Sequence, residues 1–428
     1  MENIKKTINN TRIGEKYTEI KHKSGLTILL YPMEGYSSAY ALFGTKLGSI
    51  DNNFRIKGEM EFTAVPDGVA HFLEHKMFEN EEGDAFDLFA KTGASANAYT
   101  SFDRTCYLFS TTDKFKESLT ALLGFVSTPY FTKETVEKEQ GIIGQEIRMY
   151  DDNPDWRVFF NLLNALYVNH PVKTDIAGTV ETIADIDDKV LYRIYDVFYN
   201  LSNMVLSVAG NFDPGEVISI ADELLKEGKS IEIERKETEE PQTVAKQEIS
   251  QSLEVSVPLF NIGFKETPEK GKALMKKEVA TTILLEIIAG DGSKLYREMY
   301  DEGIINLSFG TNMMSGDGYF CSIFEGESRQ PKEVEKRIKK AIKEFKKTGI
   351  DEGDFLRVQK LLYGKNVRGF NSVDNIANGL VNSHFSNETL YDMIETVAII
   401  TLDEVNKYLK EMFEETKSAI SVILPTQN

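Results

Sequence analysis

The sequence predicts an α+β protein made of two domains of one fold, and three observations carry that expectation. The stretch 229–248, KSIEIERKETEEPQTVAKQE, is polar and charged, contains Pro241 and divides the chain into halves of similar length; it reads as an exposed connection. Each half mixes short runs of strand character with longer runs of helical period. The order strand, helix, helix occurs once in each half. The boundaries that follow are 1–228 for an N-terminal domain, 229–248 for a linker and 249–428 for a C-terminal domain.

In the first half, Leu26–Tyr31, Ser38–Phe43 and Thr105–Ser110 read as strands. Helices are predicted over Val69–Glu79, Phe115–Val126, Lys133–Tyr150 and Val190–Tyr199. Thr132 is placed to cap the Lys133 helix, with Phe131 and Val136 spaced for a hydrophobic staple. In the second half, strand Tyr319–Phe324 is followed by a helix over Glu333–Lys346 and another from Glu352 toward Lys365. These match Thr105–Ser110, Phe115–Val126 and Lys133–Tyr150 in order, which is the case for a duplication.

Bulk properties narrow the function. The chain has 428 residues, enough for more than one core. With 41% hydrophobic and 27% charged residues it has a globular composition. The net charge of −19 argues against nucleic acid, which needs clustered Lys and Arg. The longest apolar stretch, Val279–Ala289, carries Thr281, Thr282 and Glu286 and is too short to span a bilayer. No secretory signal is visible after Met1, and Cys106 and Cys321 form no CxxC pair, so a cytoplasmic protein without a membrane partner is expected.

The chemistry concentrates in Val69-Ala70-His71-Phe72-Leu73-Glu74-His75-Lys76-Met77-Phe78. Residues three and four apart share a helix face, so His71, Glu74 and His75 project together. Two imidazoles can then chelate one ion while the carboxylate lies beside it, the H-x-x-E-H arrangement of metallopeptidases. The bland alternative is an amphipathic helix with two ordinary histidines, but apolar neighbours make unpaired imidazoles costly there. A catalytic zinc needs a third protein ligand. Glu139 and Glu146 lie seven residues apart, on one face of the predicted Lys133 helix with Ile142 and Ile143, and spacing alone does not choose between them. His22 reads as exposed between lysines, His170 as structural before Pro171, and His384 stands alone.

On these residues the chain resembles the pitrilysin/insulinase family of inverzincin peptidases. The resemblance is strongest over Gly68 to Gly210 and takes in Gly93-Ala94-Ser95-Ala96-Asn97-Ala98-Tyr99-Thr100-Ser101, the Glu139–Glu146 helix, His170 to Gly178, and Ser202-Asn203-Met204 with the following strand. Length and halves look like the two-domain bacterial branch, similar to mitochondrial processing peptidase subunits. The resemblance implies two homologous domains, each a mostly antiparallel sheet flanked by helices, the second without a metal site. It implies one Zn2+ per chain held by His71, His75 and Glu146, with Glu139 a nearby carboxylate essential to the centre. It also implies an edge strand from Ser95 to Thr100 beside the metal, where Ser95, Ala96, Asn97, Ala98 and Tyr99 take a peptide through main-chain hydrogen bonds, with Asn97 and Ala98 near the scissile bond. Without it, GASANAYTS reads equally as a turn before a core strand.

One departure matters. The family's C-terminal half supplies an Arg and a Tyr seven residues apart that contact substrate; here Arg297 fills the first position and Ile304 the second. An isoleucine side chain cannot donate a hydrogen bond to an oxyanion. The expectation is therefore a zinc metalloendopeptidase cleaving unfolded peptides, Glu74 serving as general base on a zinc-bound water. A dimer with a paralogous subunit that brings the Arg/Tyr pair is expected too. The rival expectation is a non-catalytic scaffold subunit of a processing-peptidase-like complex.

Overall fold

The computed structural model describes residues 3–81 and 83–426. The predicted elements are present with small shifts at their ends: strands Thr27–Pro32, Ala39–Thr45 and Thr105–Thr111, and helices Val69–Phe78, Phe115–Val126, Lys133–Asp151 and Asp188–Phe198. In the second half the strand runs Tyr319–Glu327 and the helices Pro331–Thr348 and Glu352–Gly369.

The chain forms two compact units that are interleaved in sequence. The first comprises 1–147, 175–236 and 367–391, the second 148–174, 237–366 and 392–428. These are not the consecutive segments 1–228 and 249–428. The departure has a physical cause. Helix Pro154–Leu166, capped by Asn153, packs on the second unit's strands Leu259–Lys265 and Ser418–Pro425. Helix Val373–Phe385 packs on the first unit's strands Met204–Gly210 and Ala39–Thr45. Each sheet thus covers a face with a helix from the opposite half of the sequence, and periodicity does not record which sheet a helix will cover.

The first unit's sheet has the order Ile4–Asn10, Glu15–Lys21, Thr27–Pro32, Met204–Gly210, Ala39–Thr45, Thr105–Thr111, Ser95–Thr100. All neighbours are antiparallel except Thr27–Pro32 with Met204–Gly210. The second unit's sheet runs Glu248–Leu253, Ser418–Pro425, Leu259–Lys265, Tyr319–Glu327, Gly310–Gly316, with only the first pair parallel. The last five strands of the first sheet repeat this order and sense, so both units are one α+β fold.

The expected exposed linker is corrected in part. Ile233–Arg235 pairs with Asn53–Ile56 as a strand of the first unit. In the second unit the Glu240 carboxylate accepts the backbone N–H groups of Val168, Asn169 and His170 and pairs with Lys265. An acid engaged this fully is an anchor rather than a solvated link.

The motif helix starts from a tight approach of two loops. Gly68 (φ 90°) precedes Val69, and a Cβ there would lie 2.4 Å from the Ala177 carbonyl oxygen. Gly178 (φ 73°) would meet the Asp67 carbonyl oxygen at 2.5 Å in the same way. Only glycine fits at these left-handed positions. Val69, Ala70, Phe72, Leu73 and Met77 then bury the helix in the first unit's core.

Candidate metal centre

The motif helix and the helix Lys133–Asp151 each present polar groups from a mainly apolar face. On the second of these, Thr132 caps as expected, its hydroxyl accepting the Thr135 N–H at 3.2 Å, and Phe131 and Val136 are buried in the core. Val136, Glu139, Ile143 and Ile147 form its buried stripe, and Glu146 lies at the edge of it.

His71, His75 and Glu146 each offer one ligand atom, and these atoms lie within 4.8 Å of one another. Glu146 Oε1 is 3.8 Å from His71 Nε2, and Glu146 Oε2 is 3.4 Å from His75 Nε2. With zinc bonds near 2.0–2.2 Å, the edge of a tetrahedral ligand set is about 3.4 Å. Two imidazole nitrogens and one carboxylate, with a corner left for water, are the donors of a catalytic zinc, so these residues fit the ion. Burial depresses the His71 pKa to about 3, helped by the neighbouring His75, and keeps the ring neutral as a ligand must be. Its Nδ1 is buried without a hydrogen-bond partner among the described residues.

Spacing left Glu139 and Glu146 as alternatives, and the geometry separates them. Glu139 Oε1 lies 3.0 Å from His75 Nδ1, the nitrogen turned away from Glu146. A carboxylate there fixes the tautomer and direction of the imidazole. Burial by itself lowers the His75 pKa, but the Glu139 hydrogen bond and the charges of Glu146 and Glu74 outweigh it and leave the ring above its ordinary value.

Glu74 is 9% exposed. Its Oε2 accepts the Thr100 hydroxyl at 2.5 Å. Burial pushes this carboxyl up, against the lowering effects of Thr100 and His75, which is the direction useful to a base. Sequence reasoning missed the Thr100 contact. Strand alternation puts Thr100 on the face of Ala96 and Ala98, but nothing in the sequence says that this face meets Glu74.

Ser95–Thr100 is the edge strand of the first unit's sheet, and it packs beside the motif helix. Its side chains split between two faces. Ala96 and Ala98 pack on the core while Thr100 reaches Glu74. Tyr99 points the other way, its hydroxyl donating to Asn378 Oδ1 at 3.0 Å. Ser95 and Asn97 share the Tyr99 face and are exposed. Three of the five substrate residues expected on this strand therefore turn their side chains away from Glu74. Arg297 is exposed on helix Lys294–Asp301 of the second unit, and Ile304 is buried in that unit's core.

His22 and His170 hold structural contacts. His22, expected to be exposed, is 4% exposed: its ring bonds Ser24 Oγ at 2.8 Å and Asp222 Oδ1 at 3.1 Å, tying a hairpin turn to a helix. His170 Nε2 bonds the Asp317 carbonyl oxygen at 2.9 Å. Both cysteines are free and buried. Among the described residues no helix is long and apolar enough to cross a membrane.

The second unit repeats the framework without the ligands. Gln140 Nε2 donates to the carbonyls of Ala184 and Ile186, and Gln359 Nε2 to those of Val397 and Ile400. That registers the two helices and sets Val358 against Glu139 and Lys365 against Glu146. Ser315 Oγ donates to Glu278 Oε1 at 2.5 Å as Thr100 does to Glu74. Met275 and Val279 then stand where His71 and His75 do.

Residues 58–180 match the profile described as Insulinase (Peptidase family M16), and residues 185–362 that of the Peptidase M16 inactive domain. The chain is 38% identical to the uncharacterized zinc protease YmfH of Bacillus subtilis, over 98% of this chain and 99% of the relative. It is 30% identical to a "Probable mitochondrial-processing peptidase subunit beta" of Schizosaccharomyces pombe, over 47% of this chain and 43% of that protein. The crystal structure of a "putative M16-like peptidase" from Alicyclobacillus acidocaldarius superposes with a TM-score of 0.91 at 34% identity, covering 100% of this chain and 99% of the other. The chain belongs to the insulinase family of peptidases, as a two-domain member similar to processing-peptidase subunits.

Proposed function

We propose that this chain is a zinc metalloendopeptidase that hydrolyses unfolded peptides, with Glu74 as its general base. One observation carries the reading: His71, His75 and Glu146 converge from two helices beside a buried carboxylate that is not among them. Bound by these three residues, one zinc ion would acidify a water and polarise the scissile carbonyl. Glu139 holds His75 in the tautomer that turns Nε2 toward Glu146. Glu74 takes the proton of the attacking water and returns it to the leaving amine. The outer backbone of Ser95–Thr100 offers N–H and C=O groups to an extended peptide, which aligns it with little regard to its side chains.

The proposed assembly is a dimer with a paralogous subunit that supplies the Arg/Tyr pair. Ile304 supports it, being a buried apolar side chain where a hydroxyl is needed. Arg297, exposed, is the residue of that pair this chain retains. A cytoplasmic site of action is proposed from the two free, buried thiols. The complete ligand set counts against the scaffold alternative.

Zinc content and cleavage of a mixed peptide pool test the reading together. Glu74→Gln is expected to keep zinc and lose turnover by about 10²–10⁴-fold. His71→Ala, His75→Ala and Glu146→Gln are expected to lose the metal as well. Wild-type turnover by Glu74→Gln would remove Glu74 as base. Full activity of the lone chain, unchanged by the paralogue, would remove the dimer proposal.

A further inference from the structure

We propose that Thr100 is a positioning residue for Glu74, coupling the edge strand that takes the peptide to the carboxylate that takes the proton. The proposal rests on the metallopeptidase reading above. Thr100 has one hydroxyl proton and two oxygens in range, Glu74 Oε2 at 2.5 Å and Thr105 Oγ1 at 3.5 Å. The shorter, charge-assisted bond takes the proton. Thr105 in turn donates to the Leu47 carbonyl at 2.9 Å, which holds it in place as a backstop. One oxygen of Glu74 is thereby committed to the strand, and Oε1 remains to meet the water.

A carboxylate tethered at one oxygen has a fixed plane. Released, it can rotate about its side-chain bonds, and a base must sit within about 2.6–3.2 Å of the proton it removes. Thr100 ends the same strand whose outer edge accepts the peptide. Pairing of a peptide with that edge orders Thr100, and through it Glu74.

The second unit supplies an internal control. Ser315 and Glu278 form the same 2.5 Å bond between the corresponding strand and helix. There Met275, Val279 and Lys365 occupy the positions of the three ligands, so that bond has only strand-to-helix attachment to perform. Losing it measures what the clasp contributes to folding alone.

The test compares Thr100→Val, Thr100→Ala, Thr100→Ser, Ser315→Ala and Glu74→Gln in the zinc-loaded full chain. It uses a quenched fluorescent pool of unstructured peptides, with the chain alone or with its copurified partner, whichever gives wild-type turnover. Thr100→Val and Thr100→Ala are expected to lower kcat about 10–10²-fold, the loss a misplaced group costs. KM is expected to stay within about twofold and zinc stoichiometry to hold. Thr100→Ser is expected to recover kcat to within about threefold, because only the hydroxyl is required. Ser315→Ala is expected to lower Tm and leave kcat unchanged. Wild-type kcat in Thr100→Val or Thr100→Ala, a loss confined to KM or zinc content, or no recovery with serine would overturn the proposal. Undiminished turnover by Glu74→Gln would instead remove Glu74 as the base, and a wild-type chain that neither holds zinc nor cleaves the pool would overturn the peptidase reading, so the failures are distinct.

Discussion

Glu139 and Glu146 are chemically identical and seven residues apart, yet one bonds the Nδ1 of His75 and the other faces both Nε2 atoms. Glu139→Gln is therefore expected to leave the ligand set complete but to weaken zinc binding about 10–100-fold, the range for residues that orient a ligand imidazole. A zinc titration against a chelator measures it, and unchanged affinity would reduce Glu139 to a packing role. A second buried acid, Glu266, makes a prediction about stability. Burial pushes its carboxyl up to about 7, partly offset by the Phe413 N–H it accepts and by Lys277, Lys417 and Lys346. An unfolded glutamate titrates near 4.3, so between that pH and about 7 the folded chain binds the extra proton. Stability linked to Glu266 is thus full below about pH 4 and falls as pH rises through that window, by at most about 4 kcal/mol. Glu266→Gln is expected to flatten the fall and to gain Tm relative to wild type at pH 8. Parallel pH curves for the two proteins would refute it.

At the scale of elements, the two site helices are held by local rules with readable signatures. Thr132, Phe131 and Val136 start the Glu139–Glu146 helix, and both ends could be placed from sequence because caps and apolar spacing are local. The start of the motif helix depends instead on Gly68 and Gly178 packing against each other's loops. Gly68→Ala would place a methyl group 2.4 Å from the Ala177 oxygen at a positive φ. A loss of about 1–3 kcal/mol is expected, read by denaturant unfolding, with zinc affinity falling alongside because His71 sits in the first turn. A Tm equal to wild type would show that the loops can separate freely. The hairpin strands Ile4–Asn10 and Glu15–Lys21 escaped sequence reading. Their residues are mostly charged or polar, so the alternation that marks a half-buried strand is weak.

At the scale of the molecule, the decisive feature is that each unit takes a helix from the far half of the chain. In the first unit, Val373–Phe385 covers the central strands, the Lys46 ammonium donates to the Phe385 carbonyl at 3.0 Å, and Tyr17 packs against Tyr391. A fragment spanning 1–236 keeps every proposed ligand but lacks that helix. It is expected to be insoluble or poorly packed, and to gain protection from hydrogen exchange when residues 367–391 are supplied as a separate chain. A well-folded 1–236 fragment would show the helix to be dispensable. The sequence by itself determined the H-x-x-E-H cluster, the pair of candidate acids and the repeated order of elements, because helix periodicity, capping and motif spacing act within a few turns of the chain. Only the tertiary structure decided which acid faces both imidazoles, that Thr100 meets Glu74, and which sheet each long-range helix covers. Those outcomes depend on contacts between segments tens to hundreds of residues apart, and the packing energies that choose among them leave no local signature.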